Sequence, residues 1–198
     1  MAPKIRFAEA RDAAAIQAIY APFCESSAVS FETRPPSVEE VATRIEKVSP
    51  QYPWLVGEID SQVAGYVYAC QHRERAAYRW AVDVAVYVNA AHRRRGVGRG
   101  LYTSLLALLR HQGYVKAYAG ITLPNPGSVG MHEAVGFVPV AIYRKVGYKL
   151  GQWQDVGWWQ LDLLPETANP PEPAPIRVLL GTPAVAKALE QGVGLIRG

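Results

Sequence analysis

A cluster of arginines and glycines stands directly before a leucine-rich segment near the middle of the chain. The cluster comprises Arg93, Arg94, Arg95, Gly96, Val97, Gly98 and Arg99. Leucines then recur at helical spacing from Leu101, which predicts an amphipathic helix after Gly98 that ends at Gly113. The first amides of a helix lack internal partners and carry partial positive charge, and glycines let an anion approach the backbone. The cluster therefore predicts a phosphate or diphosphate site, with a solvated basic turn as the alternative.

An acidic residue, Asp83, lies inside the longest strand-like run of the chain, residues 79–88. Because side chains alternate along a strand, Asp83 shares a face with Ala81 and Ala85, while valines occupy the other face. A carboxylate disfavours β structure and is costly to bury alone, whereas small neighbours leave room for a ligand. Asp83 is therefore a candidate base for taking the proton of an amine, and an exposed or ion-paired aspartate is the alternative.

The charge of the chain indicates one local anion site rather than a broad basic surface. Its 198 residues include 21 basic and 17 acidic side chains, and the net charge of +4 equals the four arginines of the cluster. Such concentration favours a compact anion over a nucleic-acid backbone. A nucleic-acid-binding module, the competing hypothesis, is expected to spread basic residues among aromatic ones and to bind with a steep salt dependence.

No segment predicts export or membrane insertion. The chain has no uninterrupted apolar run of about 18 residues, and residues 1–12 lack the apolar middle of a secretory signal. Cys24 and Cys70 lack metal-ligand spacing, and we interpret both as buried thiols. We expect a cytoplasmic protein with no metal, membrane or nucleic-acid partner.

The remaining segments predict a domain built around one sheet. Strands are expected at residues 5–7, 54–59, 62–70, 79–88, 116–121, 137–144 and 156–163, a loop at 123–128 and a short helix at 129–135. Asp12 is expected to cap a first helix that Pro22 ends, and Ser37 with Glu40 has capping-box spacing before a second. This order indicates an α/β or α+β fold.

The composition changes after Leu164. Residues 165–175 contain five prolines and few apolar side chains, which predicts an extended linker. We therefore assign residues 1–164 to the domain and residues 165–198 to a proline-rich linker and C-terminal tail. Within that tail, residues 182–196 fit either a weak helix or a segment that packs on a neighbour.

The arginine and glycine turn resembles the Arg/Gln-x-x-Gly-x-Gly/Ala turn of the GNAT superfamily of N-acetyltransferases. Five ordered segments are similar to the phosphinothricin N-acetyltransferase group of that superfamily: SSAVSFETRP, YPWLVGEIDSQVAGYVYA, VYVNAAHRRRGVGRGLYTSLL, LPNPGSVGMHEAVGF and KLGQWQDVGWWQLDL. They cover residues from about 5 to 164. The resemblance implies the GNAT fold, a mixed and mostly antiparallel sheet flanked by helices, with acetyl-CoA as co-substrate and a homodimeric assembly.

The resemblance also implies two catalytic residues. Asp83 stands where the group usually has glutamate, and because its side chain is one methylene shorter, we predict proton transfer through a water molecule. His132 stands where the superfamily often has a tyrosine that protonates the departing thiolate. An imidazole can donate a proton near neutral pH, but a packed helix histidine has the same sequence signature.

Further residues are implied for binding. Besides the arginine and glycine turn, backbone groups of Val86, Tyr87 and Val88 would hold the thioester and pantetheine arm, and Asn125 would contact the acetyl donor unless it serves only the turn. The substrate-binding candidates are Phe31, Arg73, Arg75 and Tyr78. Arginine forks suit a carboxylate, phosphinate or sulfoximine group, whereas a solvated charge run and core packing are the alternatives.

The predicted function is acetyl transfer from acetyl-CoA to the α-amine of a small amino-acid-like compound, such as phosphinothricin or methionine sulfoximine. Transfer to a peptide N-terminus, a polyamine or an aminoglycoside is one alternative, although cationic substrates favour an acidic cleft. A non-catalytic acetyl-CoA sensor is another, because Asp83 departs from the usual glutamate. Trp158 and Trp159 are adjacent and predicted to face opposite sides of an edge strand, which favours pairing with a second subunit.

Overall fold

The computed structural model describes residues 2–198, so Met1, the first residue of the predicted domain, lies outside them. The strands are β1 (Lys4–Phe7), β2 (Trp54–Ile59), β3 (Gln62–Gln71), β4 (Ala81–Val88), β5 (Lys116–Leu123), β6 (Val138–Lys149) and β7 (Gln152–Asp162). The α-helices are α1 (Ala13–Glu25), α2 (Val38–Val48), α3 (Val97–Gln112), α4 (Pro126–Ala134) and α5 (Pro183–Val193).

All seven strands form one sheet in the order β1-β2-β3-β4-β5-β7-β6. Neighbouring strands are antiparallel except β4 and β5, which are parallel and pair only over Ala81–Asp83 and Lys116–Tyr118. The predicted mixed, mostly antiparallel sheet is confirmed. The prediction that residues 156–163 form an edge strand is wrong, because β7 pairs with β5 on one side and β6 on the other.

Helices cover both faces of the sheet. On one face, α1 and α2 pack their apolar side chains, such as Ile16 and Ile45, against Trp54 and Tyr66 of the sheet. On the other face, the leucine stripe of α3 forms the main core together with α5 and the valine face of β4. The side chain of Asp83 therefore points away from α3, as the alternation along β4 predicts.

Local sequence signals account for several element boundaries. The β2–β3 turn places Asp60 and Ser61 at φ angles of 50° and 64°, the left-handed geometry that two-residue hairpins require. The predicted capping box is present at α2, where Ser37 Oγ accepts the amide of Glu40 at 3.1 Å and the Glu40 carboxylate accepts the amide of Ser37 at 2.7 Å.

The C-terminal boundary predicted for α1 is wrong. Pro22 lies inside the helix, which continues to Glu25, and the carbonyl of Pro22 accepts both the amide and the hydroxyl of Ser26. Proline removes one donor, but the following residues can still bond to upstream carbonyls. Asp12 is the N-cap residue of α1, as predicted, but its carboxylate makes no capping hydrogen bond; two of its bonds go to the Arg6 guanidinium, each 2.7 Å long.

Glycines fix both ends of α3. The helix begins at Val97 rather than after Gly98, because Gly96 adopts a left-handed φ of 83° as its N-cap. It ends at Gly113, as predicted, with a φ of 92°. The predicted loop at residues 123–128 is shorter in the structure, because α4 already begins at Pro126.

The segment after Leu164 packs on the rest of the chain. Residues 165–175 form no helix or strand, yet the indole of Trp80 donates to the Pro171 carbonyl at 2.8 Å. Residues 182–196 include α5, whose Val185 and Ala188 join the main core. Of the two alternatives for this segment, the helix is the one observed, although the domain boundary at Leu164 stays a prediction.

Cys24 is buried as predicted, whereas Cys70 is only partly buried. Within residues 2–198, no helix is long and apolar enough to cross a membrane. The same residues contain no group of three or more His, Cys, Asp or Glu side chains placed to hold a metal ion.

Candidate active site

A cavity opens where β4 and β5 diverge. Asp83 and Tyr118 form the last pair of these parallel strands, and beyond them β4 has no pairing register with β5. The cavity is lined by Val29, Val84, Ala85, Val86, Tyr87, Gly120, Ile121, Thr122, Asn125, Ser128 and His132. Backbone groups of β4 on this side are thus free of strand partners and are available to hydrogen-bond a ligand.

The carboxylate of Asp83 is paired with His72. His72 Nδ1 lies 2.6 Å from Asp83 Oδ1, and the two side chains are 13% and 27% exposed. Burial raises the pKa of Asp83, although its hydrogen bond to His72 opposes this effect. His72 was not among the predicted site residues. The feature that could have identified His72 is the β3–β4 register, which pairs Cys70 with Asp83. Because side chains alternate along a strand, His72, two residues beyond Cys70, lies on the same face as Asp83.

Aromatic rings surround His72. Tyr118 stacks on the imidazole with ring centroids 4.6 Å apart, and the edges of Tyr78 and Trp158 approach at 5.8 Å and 6.3 Å. The indole Nε1 of Trp158 is buried and has no hydrogen-bond partner in residues 2–198. Trp159 lies on the opposite face in the core, so the predicted division of the two tryptophans is confirmed.

The structure brings only some of the predicted substrate residues to this cluster. The guanidinium of Arg73 lies 5.8 Å from the Trp158 ring centre, and Tyr78 contacts His72. Arg75 is exposed at the start of a short 3-10 turn. Phe31, which is 40% exposed, packs over Gly147 of β6, where a β-carbon would clash with the phenyl ring.

The N-terminus of α3 has the free donors that an anion requires. No side chain caps the helix at Gly96, and the first helical amide to find a carbonyl belongs to Gly100. The amides of Val97, Gly98 and Arg99 are therefore available, although the Val97 side chain itself is buried in the core. Three of the four arginines are exposed here: Arg93, Arg94 and Arg99.

Residues 195–197 pack against the arginine and glycine turn and hydrogen-bond to it. The amide of Arg197 donates to the Arg95 carbonyl at 2.8 Å, and Arg95 Nε donates back to the Arg197 carbonyl at 3.2 Å. A β-carbon on Gly96 would collide with the Leu195 carbonyl. Arg95 thus supports the turn through the C-terminal segment, a contact that local sequence patterns did not indicate.

His132 lies on the α3 side of the cavity, with both ring nitrogens engaged. Its Nδ1 is 2.7 Å from the Ser128 carbonyl, and its Nε2 is 2.8 Å from the hydroxyl of Tyr102. Because a carbonyl only accepts, Nδ1 carries the proton and Nε2 accepts from Tyr102. Burial lowers the pKa of His132, so the neutral form dominates. Asn125 caps α4, with Oδ1 accepting the amide of Ser128 at 3.1 Å.

Comparison with known proteins identifies the family. Residues 5–158 match the family model described as "Acetyltransferase (GNAT) domain". The chain belongs to the GNAT acetyltransferase family. This GNAT protein is 43% identical to phosphinothricin N-acetyltransferase of Streptomyces viridochromogenes over 170 residues, covering 86% of this chain and 92% of that one. It is also 34% identical to the L-methionine sulfoximine/L-methionine sulfone acetyltransferase of Salmonella typhimurium, over 80% of this chain and 94% of that one.

Solved structures of related N-acetyltransferases share the fold. The phosphinothricin acetyltransferase of Sinorhizobium meliloti, crystallised in complex with acetyl-CoA, superposes with a TM-score of 0.82 at 31% identity, covering 87% of this chain and 95% of that one. An N-acetyltransferase of Staphylococcus aureus gives a TM-score of 0.79 at 28% identity, over 83% of this chain and all of that one. The predicted family and fold are confirmed, whereas the roles assigned to single residues stay predictions.

Proposed function

We propose that this acetyltransferase moves an acetyl group from acetyl-CoA to the α-amine of a small amino-acid-like compound, such as phosphinothricin or methionine sulfoximine. The observation that carries the proposal is the divergence of β4 and β5 directly beyond the Asp83–Tyr118 pair. It opens a cavity lined along β4 by Val84–Tyr87, with the partly buried carboxylate of Asp83 directly before this stretch and the uncapped start of α3 beside Val88 after it. The names of the related proteins support the same class of substrate.

The start of α3 is proposed to bind the diphosphate of acetyl-CoA. The free amides of residues 97–99 supply directed donors, and Arg93, Arg94 and Arg99 supply charge that is exposed to solvent. Backbone groups of Val86–Val88 on the open side of β4 would hold the pantetheine arm, which brings the thioester into the cavity beside Asn125.

The opposite end of the cavity is proposed to bind the amine substrate. The Arg73 guanidinium and the unpaired indole N–H of Trp158 are donors for the substrate carboxylate or its phosphinate or sulfoximine group. Arg75, Tyr78 and Phe31 would complete the walls of this pocket. A carboxylate-binding pocket disfavours polyamines and aminoglycosides, which carry several positive charges.

Acetyl transfer requires a neutral amine and a proton for the departing thiolate. Asp83 is the carboxylate that we place near the amine to help remove its proton. His132 is proposed to serve the thiolate, because it lines the cavity on the α3 side. The proton available on His132 is that of Nδ1, so donation would break the hydrogen bond to Ser128, and a proton released by the acetylated nitrogen would restore it.

The test is turnover by the purified protein with acetyl-CoA and a panel of amino-acid analogues, together with an aminoglycoside and a polyamine. Free thiol and N-acetyl product are both followed, the latter by mass spectrometry. We expect phosphinothricin or methionine sulfoximine to be acetylated in preference to the cations. Binding of acetyl-CoA without product from any amine would instead support the sensor hypothesis.

The homodimer is proposed to form at β6 rather than β7, because β6 is the edge of the sheet. Its large exposed apolar side chains are Val138, Val140, Ile142, Tyr143, Val146 and Tyr148. An exposed apolar edge strand favours association. Analytical ultracentrifugation of the wild type and of Ile142→Lys tests this; a monomeric wild type contradicts it. A cytoplasmic location stays a prediction.

A further inference from the structure

We infer that His72, oriented by Asp83, takes the proton from the substrate amine. Asp83 is then a positioning residue for that histidine rather than the base itself. The inference rests on the proposed function, and it replaces the predicted water relay with a side chain of this chain.

The hydrogen bond between the two residues sets the tautomer of His72. An ionised carboxylate only accepts hydrogen bonds, so the 2.6 Å contact of Asp83 Oδ1 places the imidazole proton on Nδ1. The lone pair is then on Nε2, which has no hydrogen-bond partner in residues 2–198. A histidine with one nitrogen bonded to a carboxylate and the other free has the arrangement of a general base.

Ring contacts fix the plane of the imidazole. Tyr118 stacks on it with an interplanar angle of 21°, and Tyr78 and Trp158 approach its edges at 66° and 85°. These contacts come from β5, β7 and the segment before β4, so the ring is held from three sides. A fixed ring lowers the entropic cost of placing the base against the amine.

The position of the pair matches the reacting centre. Asp83 and Tyr118 are the last paired residues before β4 and β5 separate, so His72 stacks on the residue at the point of divergence. Arg73 and the Trp158 indole, the proposed donors for the substrate, lie beside the same imidazole. On this inference the shorter aspartate is explained, because its carboxylate serves His72 and does not itself have to reach the amine.

The proton balance of the step is complete. One N–H bond of the substrate ammonium breaks, its proton goes to His72 Nε2, and its electron pair stays on nitrogen. That nitrogen forms a bond with the acetyl carbon as the carbon–sulfur bond breaks. A second proton leaves that nitrogen and replaces the one that His132 gives to the thiolate, the third remains in the amide, and His72 releases its proton to water.

The decisive variant is His72→Gln, with His111→Gln on the exposed last turn of α3 as the matched control. General-base catalysis contributes roughly 100-fold to 10,000-fold. We expect His72→Gln to lower kcat by about 100-fold or more while the Kd for acetyl-CoA and the melting temperature change little. His111→Gln should leave all three unchanged.

A pH profile separates a base from a structural residue. The titratable and charged groups facing the pair are Cys70, Arg73, Tyr78 and Tyr118. We expect the acid limb of kcat/KM in the wild type to disappear in His72→Gln. We also expect the double variant His72→Ala with Asp83→Glu to recover activity that His72→Ala loses, because a glutamate can reach the amine itself.

The outcomes distinguish this inference from the proposed function. If the wild type acetylates an analogue and His72→Gln keeps its kcat within about threefold and its acid limb, the inference is overturned and the function stands. If the wild type acetylates none, the proposed function fails. Nitrogen-15 NMR of labelled histidine gives a readout independent of turnover: Nε2 protonation of neutral His72 would also overturn the inference.

Discussion

The two proposed ends of the candidate active site, called here the diphosphate end and the amine end, differ in how their chemical groups are assembled. At the diphosphate end, the amides and most of the charge come from residues 93–99, which are contiguous in the chain. At the amine end, the Asp83 carboxylate is hydrogen-bonded to His72, which follows β3. The rings of Tyr118 and Trp158 in turn pack against the His72 imidazole. Contiguous groups leave a recognisable pattern in a sequence, whereas groups assembled by strand register do not.

The largest expected change in stability is at the diphosphate end. Gly96→Ala places a β-carbon at a φ of 83° and against the Leu195 carbonyl, so we expect a loss of about 2 kcal/mol or more in unfolding free energy. The turn should also lose its shape, weakening acetyl-CoA binding about tenfold or more. Urea denaturation measures the change in unfolding free energy, and calorimetry measures the change in acetyl-CoA affinity. Gly127→Ala is the control, because nothing lies within 4 Å of its added β-carbon; an equal loss there would refute the explanation.

Gly192→Ala sharpens the comparison by disturbing the diphosphate end from a distance. The β-carbon would meet the Gly100 carbonyl and Ser104 Oγ at the contact of α5 with α3. We expect about 1–3 kcal/mol of destabilisation and weaker acetyl-CoA binding, with the His72 tautomer unchanged by NMR. Gly194→Ala serves as control, since the nearest atom would be 3.9 Å away. Unaltered acetyl-CoA affinity in Gly192→Ala would show that α5 does not support the turn.

Arg93→Ala tests whether the charge of this arginine adds to the acetyl-CoA affinity that the backbone amides of α3 supply. The side chain is exposed, so we expect acetyl-CoA affinity to fall by roughly threefold to tenfold, and the difference to shrink as salt rises. Lys47→Ala, an exposed residue on α2, controls for the change in net charge. Titrations with acetyl-CoA at low and high salt measure this loss of affinity. A loss that does not depend on salt would argue for a structural role of Arg93.

The smallest change in stability is expected from Asp83→Asn at the amine end. Burial raises the pKa of Asp83, so the folded state binds this proton more tightly than the unfolded state. Wild-type stability therefore falls as pH rises through the acid range, and the neutral amide avoids that loss. We expect Asp83→Asn to gain up to about 1 kcal/mol at neutral pH while kcat falls. Melting temperatures from pH 3 to 8 should show the gain vanish in acid; a constant gain would mean that Asp83 charge has no such cost.

Much of the fold follows from short-range signals. The capping box of Ser37 and Glu40, the two strands on either side of Asp60 and Ser61 and the glycine at the end of α3 each follow from a few residues, and all are predicted. Pro22 was misjudged because proline is compatible with a helix whose later amides find carbonyls. His72 and Trp158 could not be found the same way, since their importance arises only when four strands align.

The contact between Arg95 and Arg197 has a consequence for biosynthesis. Its partners are separated by 102 positions, so a growing polypeptide exposes the arginine turn long before residues 195–197 emerge to cover it. Closing so long a loop is entropically costly and comes late in folding. Affinity for the acetyl donor should therefore appear only in nascent chains extended past residue 197, and a ribosome-stalled series of increasing length would reveal that threshold.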